Sequence, residues 1–214
     1  MKSGNSLLAI MGSLLMSVGP LSSSAGETNT WSCRFGRGAW QTGDWFFVER
    51  RDMPSNPEWI QKDDCVENDG RHTSMLLKKK FAGDVTLRAT MAFADRMAPS
   101  IVIATGVGKT PDGKTVYNEH LEVVLFDEGI NVWTLHTVDN RSIWKLTAFC
   151  RFKLTGNTAY KLQVTKKGKE LAITVDNHTF GYSEESLPDD FYVGITAAEG
   201  VNRVFDFAVA QATR

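Results

Sequence analysis

Apolar residues recur at every second position along this chain, and this period constrains the fold more than any other feature of the sequence. In the segment GDVTLRATMAF, the apolar residues fall on one face and the polar residues on the other: Val85, Leu87, Ala89, Met91 and Phe93 against Thr86, Arg88 and Thr90. Successive side chains of a β-strand point to opposite faces, so this alternation indicates a strand with one buried face. Similar segments recur about every ten residues with turn residues between them, which predicts an all-β sandwich or barrel.

The first 25 residues have the order of a secretory signal peptide. Lys2 supplies a positive charge, residues 7–18 are apolar, and Ser23 and Ala25 are small residues placed for cleavage before Gly26. The apolar stretch is about 12 residues long, whereas a membrane-spanning helix needs roughly 20. We therefore predict a signal peptide over residues 1–25 and a single domain over residues 26–214. The protein would be secreted, or periplasmic if its source is a Gram-negative bacterium.

Charge and cysteine content narrow the class further. The chain has 24 basic and 25 acidic residues. Removing Lys2 leaves 23 against 25, a net charge near −2 that argues against a nucleic-acid partner. Export would permit a disulfide, for which Cys33 and Cys65 are one candidate pair. Cys150 lies in a strand-like segment, where we expect a buried free thiol.

The clearest hairpin joins HLEVVLF to INVWTLH. Glu128 and Gly129 lie between the two segments, which is typical of a tight two-residue turn. With that turn, Val124 would face Trp133 across the strands. One face is then aliphatic and is assigned to the core: Leu121, Val123, Leu125, Ile130 and Val132. The other face is mixed: His120, Glu122, Asn131 and Trp133.

Two stretches of the C-terminal half resemble the concanavalin A-like lectin and glucanase superfamily. They are YKLQVTKKGKELAITVDN and LPDDFYVGITAAEGVNRVFDFAVA, and LLKKKFAGDVTLRATMAF resembles an early strand pair of such domains. The resemblance covers about residues 40–210. Within the superfamily, laminin-G-like modules and secreted domains related to 3-keto-disaccharide hydrolases look similar, although APSIVIATGV stands where the second group has an NSG strand. The resemblance implies a two-sheet antiparallel jelly-roll β-sandwich whose concave face often receives a glycan.

The mixed face of the hairpin holds the candidate ligand contacts. Sugars stack their apolar C–H faces on aromatic rings, and an indole also offers an N–H donor. We therefore expect Trp133 to contact a ligand together with Asn131 and Glu122, with Arg88 reaching in from a neighbouring strand. The alternative is that Trp133 is a second-layer core residue. Trp59 and Trp144 are weaker candidates, whereas three tryptophans near the N-terminus are expected to pack: Trp31, Trp40 and Trp45.

A catalytic role would fall on Glu122 as acid or base, with His120 as a proton shuttle. Glycoside cleavage normally needs two carboxyl groups about 5–9.5 Å apart. The β-glucanases of the superfamily project Glu, Asp and Glu from one strand, and this chain has no equivalent, because Glu119 and Asp127 point away from the face of Glu122. The alternatives are that Glu122 makes an ordinary polar contact and that His120 faces solvent.

No resident cofactor is indicated, although calcium is possible in the acidic segment KDDCVENDG. Its spacing differs from that of an EF-hand loop, and the histidines have no spacing typical of a metal site. The leading interpretation is a secreted, lectin-like module that binds a carbohydrate. The alternatives are a glycoside hydrolase-type enzyme that uses Glu122, or a laminin-G-like protein-interaction module.

Overall fold

Sixteen β-strands and one 3-10 helix form the regular structure in the computed structural model, which describes residues 28–51, 58–69, 72–95, 99–139 and 141–212. The strands are β1 (Thr28–Arg34), β2 (Trp45–Val48), β3 (Ile60–Gln61), β4 (Val66–Asn68), β5 (Thr73–Leu77), β6 (Phe81–Ala82), β7 (Val85–Phe93), β8 (Pro99–Lys109), β9 (Thr115–Phe126), β10 (Gly129–Val138), β11 (Arg141–Arg151), β12 (Tyr160–Lys167), β13 (Glu170–Val175), β14 (His178–Ser183), β15 (Asp190–Ala197) and β16 (Asn202–Ala212). The 3-10 helix is Thr42–Asp44. The all-β prediction is confirmed.

The strands form two antiparallel sheets that pack face to face. The first sheet has the order β14-β13-β12-β7-β16-β4-β3, and β1 also pairs with β16. The second sheet has the order β11-β10-β9-β8-β15-β5-β2, and β6 also pairs with β15. Consecutive strands often belong to different sheets, as β7 and β8 do, so neither sheet is built from one continuous segment of the chain. Strand β11 is the edge of the second sheet nearest the β9–β10 hairpin.

The core lies between the two sheets and is built from the aliphatic faces that the sequence pattern predicts. Val85, Leu87, Ala89, Met91 and Phe93 are all buried on the inner face of β7. They meet the inner residues of the second sheet in one continuous cluster. Each large apolar side chain that is fully buried contributes roughly 1.5–3 kcal/mol, so this cluster is the main stabilising element of the fold.

The N-terminal tryptophans belong to this core, as predicted. The Trp31 and Trp45 rings meet edge to face with centroids 5.5 Å apart, and Trp45 also lies 5.9 Å from Phe207. Trp59 is buried as well, which removes it as a ligand contact. Trp31 and Trp45 lie on two regular strands, β1, which pairs with β16, and β2, which is an edge strand of the second sheet.

The β9–β10 hairpin has the predicted faces but a register two residues away from the predicted one. Asp127 and Glu128 form the turn, and Gly129 already pairs with Phe126. Gly129 has a φ of 130°, and a Cβ at this position would lie 2.1 Å from the carbonyl oxygen of Cys150 on β11. Glycine is therefore needed for the close approach of the next strand rather than for the turn itself. As a result, Trp133 lies directly opposite Glu122 and not opposite Val124.

The C-terminal strand also departs from simple alternation. The register of β16 against β7 shifts between Val204 and Asp206, so Phe205 sits in a bulge. Val204 is buried in the core in its place, with Phe207 and Val209, whereas Phe205 is only half-buried. Phe205 therefore does not share the inner face with Phe207 and Val209, because one extra residue in a bulge reverses the direction of the side chains before it.

The β12–β13 hairpin has one buried apolar face, which also contains a lysine. Leu162 pairs with Val175 and Val164 with Ile173 on the buried face, as the alternation predicts. Lys166 occupies the next position of that face and is almost fully buried. Its ammonium group donates a hydrogen bond to the Gly83 carbonyl at 3.2 Å. Burial lowers the pKa of Lys166.

Strand β14 was not expected from the sequence. It pairs with β13 along its whole length, although its residues are mostly exposed or half-buried. After β14 ends at Ser183, a hydrogen-bonded turn follows, in which the Leu187 amide donates to the Glu184 carbonyl.

The three cysteines are free thiols. Cys33 and Cys65 are both buried, and the candidate disulfide between them is not formed. Burial raises the pKa of the Cys65 thiol to about 11, with a further contribution from the Asp64 charge. Cys150 lies in a strand, as predicted, but is half-buried rather than buried.

The predicted signal peptide lies outside the described residues. No helix in the described part of the chain is long and apolar enough to cross a membrane.

Candidate functional site

The candidate site lies on the outer face of the second sheet, meaning the side chains that point away from the sandwich core. On this face, β9 and β10 place Glu122 opposite Trp133 and His120 opposite Leu135. The prediction that His120, Glu122, Asn131 and Trp133 share a face opposite the core is confirmed. This face also carries a second, smaller apolar cluster: Val48, Leu76, Val102, Ala104, Tyr117 and Leu135.

A buried histidine–glutamate pair forms the centre of the face. His120 Nε2 lies 2.9 Å from Glu122 Oε1, and the two residues are only 3% and 2% exposed. Tyr117 stacks on the imidazole with ring centroids 3.9 Å apart, and Trp144 meets it edge-on at 5.3 Å. The suggestion that His120 is a solvent-facing residue is therefore wrong, because these aromatic rings cover it.

The surrounding charges keep the Glu122 carboxyl ionised. Burial by itself would raise its pKa. The hydrogen bond and charge of His120, together with the charges of His72 and Arg50, more than offset that effect, so the pKa of Glu122 is lowered. A glutamate held as a carboxylate accepts hydrogen bonds but is a poor proton donor, so Glu122 is not suited to general acid catalysis.

A cavity of about 250 Å³ opens beside this pair. Its walls come from strands and loops that are distant in sequence: Arg50, His72, Glu122, Val124, Trp133, Trp144 and Ala198. This volume is somewhat below the roughly 300–1,000 Å³ of sites that take drug-sized ligands, so it suits a single small group such as one sugar ring.

Two loops carry the basic residues of the cavity wall. Arg50 follows β2, where the Glu49 amide donates to the Thr115 carbonyl at 2.8 Å and ties the segment to β9. The Arg50 guanidinium carbon stands 4.6 Å from the centroid of the Trp144 ring. The His72 amide donates to the Ala198 carbonyl at 3.1 Å, and His72 has a φ of 54°. A histidine in this left-handed region is uncommon, so the loop hydrogen bond fixes a strained position at the cavity.

Several buried polar atoms of this face have no hydrogen-bond partner among the described residues. They are Trp144 Nε1, His72 Nδ1, His120 Nδ1, Tyr117 Oη and Ser100 Oγ. Native proteins pair most of their buried polar groups, and each exception calls for a reason. Trp144 and His72 both line the cavity, so a ligand in the cavity is a natural partner for them. Burial lowers the pKa of His72, which the nearby Glu122 charge partly offsets.

An apolar surface extends from the cavity towards the edge of the sheet. Leu146 pairs with Trp133, and Phe149 pairs with Asn131. These two residues of β11 are 45% and 40% exposed. The Phe149 ring lies 5.6 Å from Phe126. A sugar chain that leaves the cavity would therefore meet further aromatic surface.

The predicted ligand contacts are only partly brought together. Glu122 and Trp133 line the same cavity, and Trp133 is half-buried there rather than part of a closed second layer. Asn131 is half-buried on the same face, one residue pair nearer the turn, and is not part of the cavity wall. Arg88 is not near them, because it lies on β7 of the first sheet and donates to Gln163 Oε1 at 2.8 Å. The inclusion of Arg88 in this site is therefore wrong.

Sequence reasoning missed Arg50 and His72 and undervalued Trp144. Arg50 and His72 lie in loops, where no periodicity indicates the direction of a side chain. The only available signal was the position of Trp144 in an alternating segment next to the hairpin. Its outward direction depends on the bulge between Val132 and Trp133, which the sequence does not mark.

The geometry does not supply the paired carboxylates of a glycosidase within the described residues. Glu119 points away from Glu122 and lies 3.6 Å from His136. Asp127 is ion-paired with Lys153 at 3.6 Å. Among the residues that the structure describes, Glu122 is thus the one carboxylate that lines the cavity.

The calcium alternative also loses its support. Asp63 is ion-paired with Arg37, and Glu67 pairs with Arg203 at 2.8 Å and with Lys62 at 3.3 Å. Among the described residues, no group of three or more His, Cys, Asp or Glu side chains is placed to hold a metal ion. The acidic segment is therefore neutralised by basic neighbours instead of converging on one point.

Comparison with known proteins identifies the fold. No protein-family model and no curated protein matches the sequence. Among solved structures, a protein of Bacillus subtilis with a galectin-like fold has a TM-score of 0.58 at 11% identity, covering 81% of this chain and 91% of that chain. The carbohydrate-binding module CBM66 from Bacillus subtilis has a TM-score of 0.56 at 12% identity, covering 76% and 92%.

The κ-carrageenase of Pseudoalteromonas carrageenovora, solved with an oligotetrasaccharide of κ-carrageenan, has a TM-score of 0.55 at 9% identity, covering 91% and 99%. The fold is the concanavalin A-like jelly roll. At these identities the likeness establishes the fold alone, and it confirms the resemblance seen in the sequence.

Proposed function

We propose that this protein is an exported, lectin-like module that binds a carbohydrate non-covalently on the outer face of its second sheet. The observation that carries the proposal is the cavity in which Trp133 and Trp144 flank the buried Glu122 carboxylate. Aromatic rings, a carboxylate and unpaired donors in one small cavity are the groups that a polyhydroxylated ring requires.

Each group has a distinct part in this proposal. The indole rings would take the C–H face of a sugar, because aromatic side chains combine a large apolar area with a fixed geometry. Glu122 would accept from a hydroxyl through the oxygen that His120 does not use. Trp144 Nε1, which is buried without a partner among the described residues, would donate to a ring or hydroxyl oxygen. One sugar ring would fill most of the 250 Å³.

The names of the structural neighbours are consistent with this proposal. They include the carbohydrate-binding module CBM66 and the carbohydrate recognition domain of Emp47p, the latter with a TM-score of 0.54 at 13% identity. Cleavage is less well supported than binding, because the described lining of the cavity has one carboxylate, Glu122, and its pKa is lowered.

The test is a glycan array with polysaccharide pull-down, using the mature chain and its Trp133→Ala variant. We expect binding that the variant lowers at least about tenfold, since stacking and burial of one indole contribute on the order of 1.5 kcal/mol or more. Phe47→Ala is the matched control, because Phe47 is an exposed aromatic residue on the opposite face of the same sheet. Equal binding by all three proteins would refute the site, and no binding to any glycan would refute the function.

A protein-interaction role is the second candidate, and one observation favours it. Strand β11 is a sheet edge with exposed apolar side chains at Ile143, Leu146 and Phe149. Such edges can pair with a strand of another chain. A fold that stays intact without binding any glycan, together with retention by a protein partner that Leu146→Lys abolishes, would favour this role.

A further inference from the structure

We propose that the saccharide bound at this site carries an acetamido group, and that this group occupies the cavity beside Glu122 and Trp144. This inference rests on the proposed function and names the class of saccharide. It follows from the apolar wall of the cavity, from the acceptor and the donor that adjoin this wall, and from the balance of charge around them.

The wall of the cavity is largely apolar. Val124 and Ala198 line it with aliphatic side chains, and two indole rings complete it. The Arg50 guanidinium carbon lies 4.6 Å from the centroid of the Trp144 ring, so one face of that ring is already covered. Trp133 is then the ring on which a sugar stacks, and the aliphatic part of the wall is left for an apolar substituent. A methyl group is stabilised there because it leaves water, whereas a hydroxyl group is not.

An acceptor and a donor adjoin this apolar wall. Among the described residues, the Glu122 side chain has one hydrogen bond, which joins its Oε1 to His120 Nε2 at 2.9 Å. The second oxygen of this carboxylate can therefore accept an N–H from a ligand. The Trp144 Nε1 donor is buried without a partner among the described residues. An acetamido group matches all three features, because it has a methyl group, an N–H donor and a carbonyl acceptor.

The charges around the cavity favour a neutral group. The Arg50 charge acts on the Glu122 carboxylate, so each of these two charges is already compensated by the other. A carboxylate or sulfate on the ligand would be repelled by Glu122, and an ammonium group would be repelled by Arg50. An acetyl ester is neutral as well, but it has no N–H to donate to Glu122. The amide is therefore the best match.

The experiment compares saccharides that share a backbone and differ in one substituent. Oligosaccharides of cellulose, chitin and chitosan have the same glucan backbone and carry a hydroxyl, acetamido or amino group at the same carbon. Galactose and N-acetylgalactosamine form a second series. We expect calorimetric titration of the mature chain to show that the acetamido member of at least one series binds at least about tenfold more tightly. The reason is that one methyl group is buried and two hydrogen bonds are formed.

Two variants test the placement of the group. Trp144→Phe should lower the acetamido preference at least about threefold, because it removes the indole N–H and keeps an aromatic ring. Trp40→Phe is the matched control, since Trp40 Nε1 also has no partner among the described residues but its ring packs against the core between the sheets. Ala198→Leu should abolish the preference, because the larger side chain fills the space of the methyl group. Its control is Ala172→Leu, at an exposed position of the first sheet. Circular dichroism checks that each variant is folded.

The outcomes separate this inference from the proposed function. Equal affinity for the acetamido and hydroxyl members of both series, still lowered by Trp133→Ala, would overturn the acetamido class and leave carbohydrate binding standing. Tightest binding of the amino member would overturn it in favour of a cationic group. An acetamido preference that Trp144→Phe leaves unchanged, or that Trp40→Phe lowers as much, would overturn the placement in this cavity. No binding to any saccharide would overturn both proposals.

Discussion

Replacement of Glu122 by alanine gives the sharpest test of the outer-face site. His120 and Glu122 are almost fully buried and are joined by a 2.9 Å hydrogen bond. Removing one partner of a buried carboxylate–imidazole pair costs about 3–5 kcal/mol, because the other partner stays buried without compensation. For a domain of this size, each kcal/mol lowers the melting temperature by about 2–4 °C. We therefore expect Glu122→Ala to lower it by about 6–20 °C.

A double variant separates the pair from the packing around it. His120→Leu combined with Glu122→Met fills the same space with apolar groups, and such replacements of buried pairs are often neutral or stabilising. Denaturant unfolding of the wild type, both single variants and the double variant gives the coupling energy between the two positions. We expect a coupling energy of about 2 kcal/mol or more. A coupling energy below about 0.5 kcal/mol would refute the argument that the two side chains act as one unit.

The pH dependence of stability gives a second measurement on the same residue. The pKa of Glu122 is lower in the folded protein than its ordinary value of 4.5. Between the two values the unfolded state binds more protons, so the stabilisation by Glu122 is present above pH 4.5 and is lost as the pH falls through the folded pKa. Glu122→Gln should make the stability curve flatter than that of the wild type in this acidic range. Curves of equal slope would contradict the assigned ionisation.

Two further substitutions test the framework that positions the site. Gly129→Ala should cost about 2–4 kcal/mol in unfolding free energy, because it combines a φ of 130° with a Cβ placed 2.1 Å from the Cys150 carbonyl oxygen. Gly113→Ala, at a φ of 86° with open space around it, should cost about 1 kcal/mol, and equal losses would refute the close-approach argument. Lys166→Met should leave stability at neutral pH unchanged or raise it by about 1 kcal/mol, measured by denaturant unfolding, because an apolar group replaces a buried ammonium. The folded pKa of Lys166 is lowered, so wild-type stability should rise as the pH increases towards 10.5, and a variant that shows the same rise would contradict this assignment.

Much of the fold could be predicted because alternation is a local property. The buried face of β7 and the aliphatic face of the β9–β10 hairpin follow directly from the residue order. The register of the β9–β10 hairpin did not follow from the residue order, because Gly129 could be assigned either to the turn or to a strand that passes close to its neighbour. Only the position of β11 decides between these two assignments, and that position depends on long-range contacts.

The candidate site was predictable to the extent that it lies on strands. Glu122 and Trp133 share a face because side chains alternate between the two faces of a strand. A register error of two residues leaves that facing unchanged. The Arg88 side chain also points outward from its own strand, yet that strand, β7, belongs to the other sheet. The alternation along a strand gives the direction of each side chain relative to its sheet. The assignment of strands to sheets depends on packing between distant segments.

Some residues of the site stand on central strands and others in loops, and this difference affects specificity. Glu122 and Trp133 stand on central strands whose inner face is packed in the core, so the floor of the cavity is rigid. Arg50 and His72 come from loops, in which the Glu49 amide donates to the Thr115 carbonyl and the His72 amide donates to the Ala198 carbonyl. Loops tolerate change better than buried strands. Substitutions in these two loops should therefore alter which glycan binds while the fold stays intact, whereas substitutions on β9 alter stability and binding together.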